Sequence, residues 1–295
     1  MNPSRRDLLY APLAAVPRGD PAGLPQIKIG RHEISRLVVG ANPFYGYSHF
    51  NRILNRCMAE WSSSDNVART LRRCQECGIN TWQFSHNERS LADIKRHRAE
   101  GGKLQFFLTT SAEMLNNPGL TKELAKLGPL GIIHQGVFTD NRWADGEKDE
   151  IRDYLKLVRD QGVLAGVATH NPMILESIEE MNWEADFFMG SFYKYNRTKS
   201  EWKETLGGRL TVGETYVADD PARMCQALRQ SKKPCLGFKI LAAGRIDSPE
   251  GIDAAFRFAF ANIKSRDGVV VGMFPKFSDQ VAENAERVRK FGAPA

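Results

Sequence analysis

The sequence predicts an α/β fold of the (β/α)8-barrel class, and three observations favour it. Short apolar runs alternate with longer amphipathic runs from about residue 28 onwards. Eight runs of each kind occupy about 265 residues, which is the usual size of this barrel. The first apolar run leads into Gly40-Ala41-Asn42-Pro43-Phe44, which cannot serve as the glycine-rich phosphate turn of an open doubly wound sheet. The barrel is therefore preferred to the open sheet.

Eight apolar segments have the length and composition of buried parallel strands. In chain order they are Arg36–Gly40, Ile79–Phe84, Leu104–Thr109, Gly131–His134, Leu164–Ala168, Ala185–Gly190, Cys235–Leu241 and Gly268–Met273. Parallel barrel strands run in one direction, so their carboxyl ends meet at one face. Barrel enzymes place their active sites there.

Several amphipathic segments between the strands carry helix signals. Asn171-Pro172 and Asp220-Pro221 each place a capping residue before a proline at the first helical position. The run Lys148–Gln161 has apolar residues at helical spacing and ends at a glycine. Two long excursions, 42–62 and 193–218, follow the first and sixth strands. Both are expected to elaborate a binding site at the carboxyl-terminal face.

The first 25 residues are expected to lie outside the fold, which leaves 26–295 as a single barrel domain. Ser4-Arg5-Arg6-Asp7-Leu8-Leu9 resembles the twin-arginine export consensus, and a short apolar stretch follows it. The alternative is an unstructured tail with an accidental pair of arginines. Export would place the protein in the periplasm or at the cell surface; without it, the expected location is the cytoplasm.

Composition excludes several classes of protein. Hydrophobic residues make up 42% of the 295 positions and charged residues 26%, the balance of a soluble globular protein. No apolar run approaches the roughly 20 residues of a transmembrane segment. The net charge is +6, but basic and acidic residues are interspersed, so no nucleic-acid partner is expected. The expected partner is a small-molecule substrate, and the oligomeric state stays open.

Four of the six histidines are expected at the face where the strands end. His134 ends the fourth strand, and His86 and His170 lie just beyond the second and fifth. His49 lies in the loop after the first strand. Imidazoles can transfer protons or bind metals near neutral pH. Their expected convergence on one rim predicts a functional site there.

Other polar side chains are expected at the same face. They are Asn42 after the first strand, Gln83 and Glu88 around the second, Tyr193 and Tyr195 after the sixth, Glu214 in the excursion that follows it, Lys239 in the seventh and Arg245 after it. A lysine within a buried strand is costly without a partner. At the cavity mouth, Lys239 could bind an anion or act as a base of lowered pKa. Alternatively, its stem packs while its ammonium reaches the rim.

The order and spacing of several segments resemble the aldo-keto reductase superfamily over nearly the whole chain after residue 28. The matching segments are Ile29-Gly30-Arg31, Ile34–Gly40, Gly78–Gln83, Gly131–His134, Gly166–Pro172, Gly272-Met273-Phe274 and Val281–Asn284. The resemblance implies an opening hairpin, the barrel fold and a catalytic tetrad of Asp, Tyr, Lys and His.

The tetrad positions of that family are largely replaced here. His134 matches the histidine, whereas Gln83, Glu88 and about Thr110 stand where the family has its aspartate, tyrosine and lysine. Carbonyl reduction by the family mechanism needs a phenol acidified by a neighbouring lysine. NADPH-dependent reduction by that mechanism is therefore not expected.

The resemblance nevertheless leaves cofactor binding open. Glu283 and Asn284 preserve a fragment of the pattern on the adenine side of the family's cofactor, and Lys276 could meet a phosphate.

Three hypotheses of function follow from these residues. The first is an enzyme with a remodelled site that performs acid–base chemistry on a small polyhydroxylated or carbonyl, sugar-like substrate. Its acid and base are His134 and Glu88, with His86 and Lys239 as further catalytic candidates. Its substrate is oriented by polar residues around the mouth, namely Asn42, His49, Gln83, His170, Tyr193 and Arg245.

The second hypothesis is a metal-dependent lyase, isomerase or hydrolase. In it, a divalent metal is bound by His86, His134 and His170, which leaves open positions for water or substrate. The third is a residual NADPH-dependent oxidoreductase or a non-catalytic binding protein.

Overall fold

An antiparallel hairpin precedes a closed ring of eight parallel strands in the computed structural model, which describes residues 23–209, 211 and 213–293. The hairpin strands are β1 (Gln26–Ile29) and β2 (His32–Ser35). The barrel strands are β3 (Leu37–Gly40), β4 (Thr81–Ser85), β5 (Gln105–Thr109), β6 (Gly131–His134), β7 (Leu164–Thr169), β8 (Phe187–Ser191), β9 (Cys235–Phe238) and β10 (Gly268–Gly272). Each pairs with the next, and β10 pairs with β3. The predicted (β/α)8 barrel is confirmed.

Helices follow the barrel strands and form the outer layer. They are α1 (Arg52–Trp61), α2 (Ser64–Glu76), α3 (Glu88–Ala99), α4 (Ala112–Asn116), α5 (Pro118–Ala125), α6 (Gly136–Ala144), α7 (Lys148–Arg159), α8 (Pro172–Glu180), α9 (Lys199–Leu206), α10 (Asp220–Gln230), α11 (Pro249–Asn262) and α12 (Gln280–Phe291). Short 3-10 helices span Asn42–Tyr45 and Ala242–Gly244.

The two predicted caps before proline have different outcomes. The Asn171 side chain accepts a hydrogen bond from the amide of Met173 and caps α8 as predicted. Asp220 is instead the first residue of α10. Its carboxylate accepts a hydrogen bond from Arg197, 3.0 Å away, so it joins two segments rather than capping a helix.

Alternate residues of each strand fill the barrel, and the hairpin covers its floor. The interior cluster contains Ile27, Ile29 and Ile34 of the hairpin with Val38, Phe107, Ile133, Ala168, Phe187, Leu236 and Val270 of the strands. Gly166 provides room for this packing, since a Cβ there would lie 2.4 Å from the ring of Phe187. The lower barrel is therefore solid, and open space lies at the carboxyl ends of the strands.

The described residues include no helix that is long and apolar enough to cross a membrane. The twin-arginine-like motif at residues 4–9 lies outside the described part of the chain.

Candidate active site at the carboxyl ends of the strands

A cavity of about 670 Å³ opens where β3, β4, β9 and β10 end. Gln83, Phe238 and Val270 line its inner part. The first long excursion with α1 covers one side, and α11 and α12 border the other. The volume lies within the range of small-molecule pockets. The cavity is at the end of the barrel where the sequence predicts the site.

Lys239 lines this cavity directly after β9, rather than lying within the strand as predicted. Its ammonium is 5.2 Å from the ring centroid of Tyr195 and 5.8 Å from that of Phe238. The Lys239 ammonium forms no hydrogen bond or ion pair with another described residue. Burial lowers the pKa of Lys239 from 10.5 to about 8, although Glu214 acts in the opposite direction. A substantial fraction of this amine is therefore neutral in mildly alkaline solution.

His49 lines the cavity and is paired with Glu214, which does not line it. The Nδ1 of His49 is 2.9 Å from Oε1 of Glu214. The Nε2 of His49 is 3.3 Å from Nδ2, the side-chain amide nitrogen of Asn42. Tyr216 donates a 2.9 Å hydrogen bond to the other oxygen of Glu214. Burial by itself would raise the pKa of Glu214, but His49, Tyr216 and Lys239 together hold it below its ordinary value. The carboxylate therefore stays ionised and orients the imidazole.

Arg245 does not line the cavity but connects the loops that form it. It donates hydrogen bonds to the backbone carbonyls of His49 and Glu214, both at 3.1 Å, and to that of Ala242. Its guanidinium stacks over Tyr216 at 4.0 Å from the ring centroid. The sequence predicts Arg245 as a substrate ligand; the structure places it as a positioning residue for the pair His49–Glu214.

His170 and Asp140 form a buried pair beside the cavity. The Nδ1 of His170 is 2.7 Å from Oδ2 of Asp140, and the same oxygen accepts a 2.7 Å hydrogen bond from Asn196. Nε2 of His170 has no hydrogen-bond partner among the described residues. Burial lowers the pKa of His170, and its hydrogen bond to Asp140 partly offsets that effect. One ring nitrogen of His170 is thus fixed by Asp140, and the other is available.

Tyr195 lies at the centre of these groups. Its ring centroid is 4.6 Å from that of His170 and 5.9 Å from that of His49, and the Lys239 ammonium lies over its face. We call His49, His170, Tyr195, Glu214 and Lys239 the Tyr195 cluster; His49 and Lys239 line the cavity, and the other three pack around them. Burial raises the pKa of Tyr195, and the nearby carboxylates raise it further. The phenol therefore stays protonated and can donate a hydrogen bond.

Strained backbone is concentrated at this site. Five non-glycine residues of the described chain have φ between 49° and 58°, a region that side chains with a Cβ rarely adopt. His49, Lys239 and Ala243 line the cavity and Ala242 adjoins it, whereas Asn182 lies elsewhere. Such conformations persist where surrounding contacts enforce them, and they cluster at functional sites.

Asn42 and Gln83 line the cavity, at the face where the sequence predicts them. The Gln83 side chain donates a 2.5 Å hydrogen bond to Oγ1 of Thr109, which leaves its amide oxygen for a ligand. Tyr193 is buried and packs on Tyr216, with the ring centroids 5.2 Å apart. It supports the cluster from behind instead of contacting a ligand.

His134 does not reach the cavity. It alternates with Ile133, which points into the barrel, so its side chain points outward to the helix layer. There its Nδ1 is 2.7 Å from Oγ1 of Thr139, and its ring packs against Tyr154. Burial, with a contribution from Arg142, lowers the pKa of His134 to about 3. The geometry therefore assigns it to packing, not to catalysis.

His86 and Glu88 also lie away from the cavity. The Nδ1 of His86 is 3.0 Å from Oγ of Ser111 and 4.0 Å from a carboxylate oxygen of Glu113. Glu88 is the exposed first residue of α3, where a carboxylate favours the helix N-terminus. Neither lines the cavity, so the predicted acid–base pair of His134 and Glu88 is not assembled.

The three histidines of the metal hypothesis are held apart. His86, His134 and His170 have separate partners on three different segments. Over the described ranges, no group of three or more His, Cys, Asp or Glu side chains is placed to share a metal ion. The geometry therefore does not form the predicted ligand set.

The outer end of the cavity fits a dinucleotide poorly. Glu283 and Asn284 line it, but Lys276 does not and lies 3.6 Å from the sulfur of Cys57. Arg287, a cation at this end, is 2.8 Å from Asp253 and is therefore already paired. The phosphates of a dinucleotide require available cations or amides. We derive no step through a nicotinamide cofactor.

Asp140 is a site residue that is absent from the set predicted from sequence. The only sequence feature that points to Asp140 is its position, as an acidic residue in the helix that follows β6. The sequence predicts Tyr195 and Glu214 at this face, but it does not predict that Glu214 pairs with His49 or that Tyr195 packs on His170.

Comparison with known proteins shows a shared fold at low sequence identity. No protein-family model and no curated protein matches the chain. Among solved structures, Gox0644 in its apo form gives a TM-score of 0.54 at 12% identity, covering 93% of this chain and 97% of that one. A truncated 3-deoxy-D-arabino-heptulosonate 7-phosphate synthase from Thermotoga maritima gives a TM-score of 0.52 at 11% identity, covering 91% of this chain and 90% of that one.

The aldo-keto reductase AKR11C1 from Bacillus halodurans, in its holo form, gives a TM-score of 0.51 at 11% identity, covering 92% of this chain and 97% of that one. A reductase and a synthase are thus matched about equally well. The likeness shows the TIM-barrel fold and does not single out the aldo-keto reductase superfamily.

Proposed function

We propose that this protein is an enzyme that performs acid–base chemistry on a small polyhydroxylated or carbonyl compound. One observation carries the proposal. Lys239, which has no anionic partner among the described residues, and His49, which is oriented by a carboxylate, line one cavity, and both lie beside the ring of Tyr195. Both Lys239 and His49 occupy unfavourable backbone conformations there, a cost that is typical of functional sites.

Proton transfer next to a carbonyl requires a base at the carbon and an acid near the oxygen. The pKa of Lys239, about 8, suits a group that exchanges protons near neutral pH. His49 and His170 supply two further imidazoles, each oriented by a carboxylate. These roles replace His134 and Glu88 of the sequence hypothesis.

The inner cavity suits a small hydroxylated ligand. Asn42 and Gln83 offer side-chain amides for hydroxyl groups, and Phe238 offers an apolar surface. Such a mixture of a few polar groups on an apolar wall is typical of small-molecule sites.

Hydride chemistry by the family mechanism receives less support. The Lys239 ammonium lies over the face of the Tyr195 ring, and the pKa of that phenol is raised rather than lowered. A phenol of raised pKa is a weak proton donor to a developing alkoxide.

Deuterium incorporation tests the proposal and does not require the complete reaction to be identified. The purified protein is incubated in D₂O with a panel of aldoses, ketoses and hydroxyketones, and proton NMR follows exchange beside the carbonyl. We expect exchange with at least one compound and a loss of about 100-fold or more in Lys239→Met. Lys276→Met, which changes a lysine outside the cavity, is the matched control. Equal rates in the two variants would contradict the proposal.

A further inference from the structure

The surroundings of Lys239 differ from those of a lysine that only binds anions. Aromatic rings, those of Tyr195 and Phe238, lie next to its ammonium, and no carboxylate of the described chain contacts it. Its nearest charged neighbours are Glu214, which favours the ammonium, and Arg245, which disfavours it. Lys239 lines the cavity, and its amine nitrogen forms no hydrogen bond or ion pair with another described side chain.

We propose that Lys239 is a nucleophile that forms an imine with a small aldehyde or ketone in the cavity. This inference rests on the proposed function and names its substrate class and its covalent step. An amine free of ion pairs, enclosed by apolar rings and open to a ligand pocket on one side, has the environment of an imine-forming lysine.

The step is balanced without an oxidant or a reductant. The lone pair of neutral Lys239 attacks the carbonyl carbon, and the carbon–oxygen π pair moves to oxygen. A proton passes from the nitrogen to that oxygen, which gives a carbinolamine. A second proton, from solvent, reaches the hydroxyl group, and the carbon–oxygen bond breaks so that water leaves while the nitrogen lone pair forms the carbon–nitrogen double bond. One hydrogen stays on the nitrogen, so the product is a protonated imine. The protonated imine then withdraws electrons from the adjacent carbon, which makes its proton easier to remove.

The Tyr195 ring lies beside the Lys239 nitrogen, and His170 packs on that ring. The phenol of Tyr195 stays protonated, so it can donate a hydrogen bond to the oxygen during these transfers. His170 has one ring nitrogen held by Asp140 and the other without a partner among the described residues, so it can accept the proton from the substrate carbon.

Reductive trapping tests the inference directly. The full chain is incubated with dihydroxyacetone and cyanoborohydride, and adducts are located by intact mass and peptide mapping. We expect one reduced adduct, on Lys239, whose formation rate rises with pH to a midpoint near 8. Lys239→Arg, which keeps the charge and cannot form the adduct, should show none, whereas Lys276→Arg should react like the wild type. Adducts spread over surface lysines, or an unchanged adduct in Lys239→Arg, would overturn the inference.

The deuterium assay separates this inference from the proposed function. Exchange that depends on Lys239 without any trapped adduct overturns the imine and leaves the acid–base function standing. An adduct on Lys239 in a protein that exchanges no compound supports the imine and contradicts the proposed function.

Discussion

The imidazole of His49 and the carboxylate of Glu214 lie 2.9 Å apart, Nδ1 to Oε1, although 165 positions separate them in the chain. Arg245, from a third loop, binds the backbone carbonyl of each residue. Three loops that follow three different strands are therefore tied together at one pair of side chains. Arg245 therefore holds the geometry of this pair through backbone contacts. It does so without lining the cavity.

Arg245→Lys should lower kcat by about tenfold, equivalent to about 1.4 kcal/mol, and change KM little. An ammonium keeps the charge but cannot reach both carbonyls with the fork of a guanidinium. The measurement is the deuterium-exchange rate as a function of substrate concentration. Arg223→Lys, which changes an exposed arginine paired with Glu176, is the control. Equal kcat values for the two variants would refute the positioning role.

Glu214→Gln should lower the exchange rate by about 100-fold, because the amide no longer provides a charge that orients and stabilises the imidazole of His49. Glu88→Gln is the matched variant, since Glu88 is exposed and outside the cavity. It should remain within about twofold of wild type, as surface substitutions usually do. The reverse ranking of the two variants would restore the prediction made from sequence.

Lys239→Met should raise the free energy of unfolding at pH 7 by about 2 kcal/mol. The pKa of Lys239 is about 8 in the folded state against an ordinary 10.5, so the unfolded chain binds this proton more tightly. The destabilisation is complete below pH 8 and disappears as pH rises from 8 to 10.5. Lost cation–π contacts offset part of the gain.

Urea unfolding at pH 7 and at pH 10.5 measures this effect. The stabilisation by Lys239→Met should be present at the lower pH and nearly absent at the higher one. A variant that is less stable than wild type at pH 7 would show that the ammonium is well accommodated.

His134→Leu should reduce the loss of stability in acid. The pKa of His134 is about 3 in the folded state against an ordinary 6.5, so the unfolded state takes up the proton first. Stability is therefore lost as pH falls from 6.5 towards 3, by roughly 3 kcal/mol at pH 4. Unfolding curves at pH 7 and pH 4 check this. A wild-type slope in the variant, or a lost exchange activity, would place His134 in another role.

The barrel can be predicted because each strand is an uninterrupted apolar run between turn signals. That same property hides the orientation of His134. Parallel strands are apolar on both faces, so the sequence Gly131-Ile132-Ile133-His134 does not reveal which alternate residues point inward. The run predicts the place of His134 at a strand end, and it does not predict that the side chain points outward.

The pairs in the site are unpredictable for a different reason. Asp140 meets His170 and Glu214 meets His49 through loop conformations that depend on distant contacts. The excursion 193–218 is recognisable as a site element. Its length does not show which of its residues packs against the histidines, so the packing of Tyr195 on them is not predicted. Sequence position therefore predicts which side chains follow the carboxyl ends of the strands, and tertiary packing selects which of them come together there.

The most direct test compares three histidines at the same face of the barrel. Deuterium exchange into a responsive carbonyl compound is measured for His49→Ala, His170→Ala and His86→Ala, each checked for an unchanged thermal midpoint. The first two should lose about 100-fold or more, and His86→Ala, outside the Tyr195 cluster, should stay close to wild type. Equal rates in all three, or a selective loss in His86→Ala, would contradict the assignment of the chemistry to this cluster.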